Sequence, residues 1–133
     1  MAKPIVLVVE DEPDIQETFG AVLTIEGFTT VTARHIDEAL ECFGRQDIDA
    51  VTLDVRMPDL KGLGRDGLTL LTHLRSIPVF RAVPVFMFTG ADLTPAEEEL
   101  IANHNAKIFR KPMLYGDIVE ALNRKLSHLL RSH

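Results

Sequence analysis

The chain has 133 residues, of which 46% are apolar, and its 14 Lys and Arg against 20 Asp and Glu leave a formal charge of −6. That length suits one globular domain with one proper core, and the acidic balance excludes the basic stripe of a nucleic-acid surface and speaks against an anionic membrane. A single cysteine, Cys42, excludes a disulfide framework and a thiolate metal cage, while "MAKPIVLVVED" has too short an apolar run for a signal peptide and no stretch approaches the roughly 20 apolar residues of a membrane span.

In chain order, "PIVLVVE" is a short β-branched run, as expected of a strand buried on both faces. From Pro13 the period turns helical, with Ile15, Phe19, Val22, Leu23 and Ile25 recurring until Gly27. Proline in the first turn and glycine just past the end are ordinary helix punctuation. "FTTVTA" predicts a second strand, and "IDEALECF" a helix with Ile36, Ala39, Leu40 and Phe43 on one face. "DAVTLDV" predicts a third strand ending at Asp54. After a glycine-rich loop, Leu68, Leu71, Leu74 and Ile77 mark a third helix. "VPVFMFT" predicts a fourth strand. In "LTPAEEELIANH", Thr94 reads as an N-cap, with Pro95 at the first position and Glu97 completing a capping box. "AKIFR" predicts a fifth strand. The last helix is expected from about Asp117, with Ile118, Leu122, Leu126, Leu129 and Leu130 facing inward.

Five alternating strand–helix pairs imply an α/β fold, a five-stranded parallel sheet with helices on both faces. Ligands of such sheets bind beyond the carboxyl ends of the strands. Glu10, Asp11 and Glu12 follow the first strand, Asp54 ends the third, Thr89 ends the fourth and Lys111 follows the fifth. Taken singly these have bland readings: a solvated helix start rich in acids, a β-branched strand residue, a surface lysine. Asp54 is harder to dismiss, because a carboxylate at the end of an apolar strand needs a partner or a cation. Together they make a mechanism. Glu10, Asp11 and Asp54 offer hard oxygen ligands suited to Mg²⁺, which takes one or two carboxylates and completes its shell with water and phosphate oxygen. Asp54 is then the candidate nucleophile for an aspartyl-phosphate. Lys111 would pair with the phosphate and the Thr89 hydroxyl would donate to it, with Gly90 leaving the approach open.

The pieces "VVEDEP", "LDVRMPD", "MFTG" and "RKP" resemble a response-regulator receiver domain, the phosphoacceptor module of two-component signalling, over Ile5 to about Leu130. The resemblance implies the (βα)5 flavodoxin-like receiver fold, and 1–133 is expected to form a single receiver domain with no output domain in this chain, either a stand-alone receiver or one from a longer regulator or hybrid kinase. It implies that Glu10 and Asp11 hold Mg²⁺, Asp11 more directly, with Asp54 and the backbone carbonyl of Arg56 completing the protein's share of the shell. Asp54 would accept a phosphoryl group from the phosphohistidine of a histidine kinase or phosphotransfer protein. Thr89 and Lys111 would be the switch hydroxyl and the phosphate-pairing lysine, and the bond before Pro112 would be cis. The implied output surface is the face made by the fourth helix, fifth strand and fifth helix, which takes a downstream protein or a second copy of the chain. The acidic balance and the short apolar runs lead us to expect a cytoplasmic location without direct contact to nucleic acid or membrane, and the resemblance implies signalling rather than enzymatic turnover.

Three features depart from that pattern. Ile108 stands three residues before Lys111, where the family usually carries an aromatic switch residue. The loop glycine expected at Gly62 competes with Gly67, which implies a five-residue insertion within "DLKGLGRDG". Arg56 places a long cation within reach of an incoming water or phosphate. A degenerate receiver serving only as an interaction module is the alternative that Ile108 leaves open. An aspartyl-nucleophile phosphohydrolase would usually place an acid where Arg56 stands, and a flavodoxin-like carrier would not put "EDEP" against a phosphate. The five histidines show no metal-ligand spacing and read as surface residues. Cys42 reads as a small buried hydrophobe, and Arg124, Lys125 and Arg131 as the solvated side of the last helix.

Overall fold

A computed structural model describes residues 3–45, 47–90, 92–112 and 114–127. His128, Leu129, Leu130, Arg131 and His133, assigned above from sequence, lie outside the described residues. The elements alternate: β1 (Ile5–Val9), α1 (Pro13–Ile25), β2 (Thr29–Ala33), α2 (Ile36–Arg45), β3 (Ala50–Asp54), α3 (Gly67–Ser76), β4 (Val85–Thr89), α4 (Pro95–Asn103), β5 (Ala106–Arg110) and α5 (Tyr115–Lys125). One turn of 3-10 helix at Pro78–Phe80 precedes β4. The five strands are all parallel in the order β2-β1-β3-β4-β5.

The continuous apolar runs follow from this arrangement, because alternate residues of each inner strand feed opposite faces. Leu7, Val9, Val51, Leu53 and Met87 pack with Ile36, Phe43, Leu70, Leu74 and Ile101 on the side of α2, α3 and α4. Val6, Val8, Ala50, Phe86 and Phe88 pack with Phe19, Leu23, Ile118 and Leu122 on the side of α1 and α5. At the amino edge of the sheet, Arg75 donates to the carbonyls of Phe80, Val83, His104 and Asn105, tying α3 to the end of α4. Burial pulls its pKa down.

The structure adds which residues of each helix face the core and where the helices end. Ile25 is 82% exposed, because two residues along a helix rotate it about 200° away from buried Leu23. Ile15 and Val22 are half-buried. In α3 the buried residues are Gly67, Leu70, Leu71 and Leu74, with Leu68 and Ile77 half-buried at its ends. The last helix starts at Tyr115 rather than Asp117. His35 and His104 are half-buried at helix ends rather than simply on the surface. The His35 Nδ1 accepts from the Glu38 N–H at 3.3 Å and the His104 Nδ1 lies 2.8 Å from the Leu100 carbonyl. Cys42 is buried as expected, and burial pushes its thiol pKa up.

Candidate functional site

Strand register brings the acids together. Val9 of β1 lies opposite Leu53 of β3, so Glu10 and Asp54, one step beyond each, meet at the carboxyl edge. Glu10 is pinned there by its main chain: its N–H donates to the Ala33 carbonyl at 2.9 Å, and its carbonyl accepts from the Gln16 side chain. Glu10 and Asp54 are buried while Asp11 is exposed, so the cluster opens to solvent through Asp11. One carboxylate oxygen from each of Glu10, Asp11 and Asp54 lies within 4.8 Å of the other two.

Asp54 is held from two sides. Its Oδ1 accepts the Arg56 N–H at 3.1 Å, and its Oδ2 accepts from the Lys111 ammonium at 2.6 Å. Burial works against the charge on Lys111, but the Asp54 carboxylate outweighs it and raises the lysine above its usual pKa. Lys111 reaches the edge because its N–H bonds the Thr89 carbonyl at 2.8 Å, and the Lys111–Pro112 bond is cis. Thr89 is buried at the end of β4, one step beyond Phe88, which lies opposite Asp54. A Cβ at Gly90 would meet only the Lys111 side chain, at 3.5 Å, so lack of space does not demand glycine there.

Glu10 carries the electrostatic cost of the cluster. Burial raises its pKa to about 7; the Glu12 N–H opposes this, and the Asp54 charge adds to it. Three carboxylates faced by one ammonium are short of positive charge, and their oxygens are the hard donors a divalent cation such as Mg²⁺ takes. The donor set therefore fits a metal.

The Arg56 side chain is already engaged. Its guanidinium lies at 3.0 and 3.4 Å from the two carboxylate oxygens of Glu97 in the first turn of α4, and at 3.9 Å from Asp66, the N-cap of α3. It bridges two helix starts, a pairing the sequence did not show. Glu97 also completes the α4 capping box, accepting the Thr94 N–H at 3.0 Å. These bonds hold its carboxyl below the usual pKa, the Thr94 N–H contributing most and Arg56 next.

The two candidate glycines are also resolved. Gly67 donates its N–H to the Val55 carbonyl at 2.9 Å, and a Cβ there would come within 2.2 Å of the Asp54 carbonyl oxygen. Gly67 is thus the position where α3 must approach β3 closely. Gly62 and Gly64 sit in open space with φ of 67° and 75°, turning the extra loop. That loop is built round Asp59, which accepts from the N–H groups of Lys61, Leu63 and Arg65 and from the Arg65 guanidinium. Arg65 reaches on to Asp37 at the start of α2, with both bonds at 3.2 Å. Leu60 and Leu63 remain exposed on the loop. Sequence reasoning did not find Glu97, Asp59, Arg65 or Asp37; the only signal was the capping box, which identifies Glu97 as a cap and not as the partner of Arg56. A groove of about 560 Å³ between α3 and α4 contains none of the edge residues.

A parallel sheet with acids, a buried threonine and a lysine gathered at its carboxyl edge has the architecture of a signalling receiver. The chain belongs to the response regulator receiver domain family, which it matches over residues 6–123. Among curated relatives, it is 37% identical over 92 residues to the transcriptional regulatory protein AruR of Pseudomonas aeruginosa, covering 65% of this chain and 34% of AruR. It is 38% identical over 101 residues to the probable transcriptional regulatory protein TcrX of Mycobacterium tuberculosis, covering 76% of this chain and 39% of TcrX. The chain thus spans little more than a third of the length of these relatives. The crystal structure of a CheY-like response regulator receiver domain protein from Methanospirillum hungatei superposes with a TM-score of 0.84 at 20% identity, covering 99% of this chain and 100% of that one, a likeness of fold alone. The signal receiver domain of a histidine kinase from Syntrophus aciditrophicus gives 0.80 at 26% identity, covering 98% and 95%. Among the described residues, no helix is long and apolar enough to cross a membrane.

Proposed function

We propose that this receiver is a cytoplasmic phosphoacceptor of a two-component phosphorelay, taking a phosphoryl group onto Asp54 in a Mg²⁺-dependent reaction. The observation that carries this reading is the pairing of the Glu10–Asp11–Asp54 cluster, oxygens within 4.8 Å, with Lys111 at 2.6 Å from one Asp54 oxygen. Glu10, Asp11, Asp54 and the Arg56 carbonyl would hold the ion, which when bound supplies positive charge against the acids and the phosphoryl oxygens.

Asp54 attacks phosphorus through a carboxylate oxygen. A P–O bond forms, the P–N bond to the donor imidazole breaks, and that bond's electron pair stays on the nitrogen, which takes a proton. Lys111 transfers its pairing from the carboxylate to the new phosphoryl group. The Thr89 hydroxyl donates to a second phosphoryl oxygen. The donor is a histidine kinase or phosphotransfer protein. The output passes through the face of α4, β5 and α5 to a protein partner or a second copy of the chain. The protein acts by carrying the phosphoryl group and not by turning over an external substrate.

A degenerate receiver acting only as an interaction module is the second reading, favoured by Ile108 in the aromatic switch position. Intact mass after incubation with phosphoramidate, with and without Mg²⁺, separates the two. Wild type is expected to gain one phosphoryl group only with Mg²⁺, and Asp54→Asn none. An unmodified wild type with its fold intact would favour the interaction module.

A further inference from the structure

The link between Arg56 and Glu97 joins the acceptor carboxylate to α4 through one residue. The Arg56 main chain touches Asp54, its N–H lying 3.1 Å from Oδ1. Its side chain touches Glu97 at 3.0 and 3.4 Å with both prongs of the fork. Arg56 and Glu97 lie 41 residues apart in sequence, so the contact is a product of the fold. Within α4, only Ile101 is buried, with Leu100 half-buried beside it, and besides Arg56 the first turn's only ion pair among the described residues is the exposed one of Glu98 with Arg110 at 3.6 Å, so a change in charge can act on it.

We infer that Glu97 is a positioning residue for the phosphoacceptor: it draws the Arg56 guanidinium onto the first turn of α4 and yields it when Asp54 carries a phosphoryl group. This rests on the reading of Asp54 as phosphoacceptor. Phosphorylation raises the negative charge at residue 54 to nearly two and adds three acceptor oxygens, the kind of group that a guanidinium binds with two parallel hydrogen bonds. Glu97 opposes that with one carboxylate, and its hydrogen bond from the Thr94 N–H, at 3.0 Å, is made without Arg56 as a partner. Releasing Arg56 therefore leaves α4 capped while removing its tie to the acceptor and to Asp66. The helix start becomes the element with two arrangements, biased by the charge on Asp54.

The substitution Glu97→Gln separates this role from a merely structural one. Glutamine serves in the same capping box, so the cap survives, but the charge that holds Arg56 is gone. The test is the amide spectrum of ¹⁵N-labelled wild type and Glu97→Gln before and after phosphoramidate with Mg²⁺, with phosphorylation verified by intact mass. In wild type, the amides of residues 96–99 are expected to shift on phosphorylation. In Glu97→Gln they are expected to lie near the phosphorylated position beforehand and to change by less than half as much. Equal changes in both proteins would overturn the coupling while leaving the phosphoacceptor reading intact, as would a phosphorylated wild type with an unmoved α4. A wild type that gains no phosphoryl group would overturn both.

Discussion

Replacing Gly67 with alanine tests whether the loop before α3 is anchored where the structure places it. The added Cβ would meet the Asp54 carbonyl oxygen at 2.2 Å and the Val55 Cα at 2.9 Å. Both are main-chain atoms of the strand end and the residue beyond it, so no side chain can swing aside. The start of α3 must move outward, stretching the 2.9 Å bond from the Gly67 N–H to the Val55 carbonyl. Overpacking against a rigid neighbour costs about 2 kcal/mol and a weakened buried hydrogen bond about 1 kcal/mol. A loss of about 3 kcal/mol would lower Tm by about 10 °C in a chain of this size. Urea unfolding followed by circular dichroism measures it, with Gly62→Ala as the control. Gly62 meets nothing within 4 Å and pays only for its φ of 67°, about 1 kcal/mol. If Gly67→Ala proves no more costly than Gly62→Ala, the close approach of α3 to β3 is wrong.

Other outcomes follow from the same geometry. With the Glu10 pKa raised to about 7 from 4.5, the stabilisation is fully present below 4.5 and lost as pH rises through 7. Without metal, wild type should therefore gain stability on going from pH 8 to pH 5 relative to Glu10→Gln, and parallel urea midpoints would refute the shift. At the proposed site Mg²⁺ would displace the Glu10 proton, so its affinity, read by calorimetry, should fall as pH drops below 7 and stay flatter in Glu10→Gln. Asp59→Ala removes the acceptor shared by the Lys61, Leu63 and Arg65 amides; their hydrogen exchange should rise about tenfold, and unchanged exchange would mean that Asp59 does not organise the loop. Arg75→Met leaves the carbonyls of Phe80, Val83, His104 and Asn105 without that donor, and urea unfolding should register about 2 kcal/mol.

The strands and the carboxyl edge were legible because their signals are local. A continuous apolar run identifies a doubly buried strand, and alternation with helices fixes which end of each strand shares an edge. That is enough to bring Glu10, Asp11, Asp54, Thr89 and Lys111 together without any contact being known. Helix faces were less legible: Ile25 fits an apolar count but points away from the sheet, since its position depends on rotation about the axis rather than on hydrophobicity. The ion pairs were not legible at all. Arg65 meets Asp37 across 28 residues and Arg56 meets Glu97 across 41, and no pattern of charge along the chain picks these partners from the other acids.

The absence of an aromatic ring at position 108 has a consequence that strand geometry settles. Phe109, its neighbour, cannot stand in for it, because successive side chains of a strand point to opposite faces. Ile108 packs with the cluster that contains Leu93, Leu100 and Ile101, on the side of α4. Phe109 packs on the other side, its ring 5.6 Å from that of Phe86 and 5.7 Å from that of Phe88, against the core beneath α1 and α5. Bringing Phe109 to the α4 side would require a one-residue slip of β5, breaking its pairing of Val85 with Ala106 and Thr89 with Arg110. Any signal from Asp54 to α4 in this chain must therefore travel without an aromatic ring on that side of β5. The contact between Arg56 and Glu97 offers a route that begins at the acceptor, ends in the first turn of α4 and does not pass through β5.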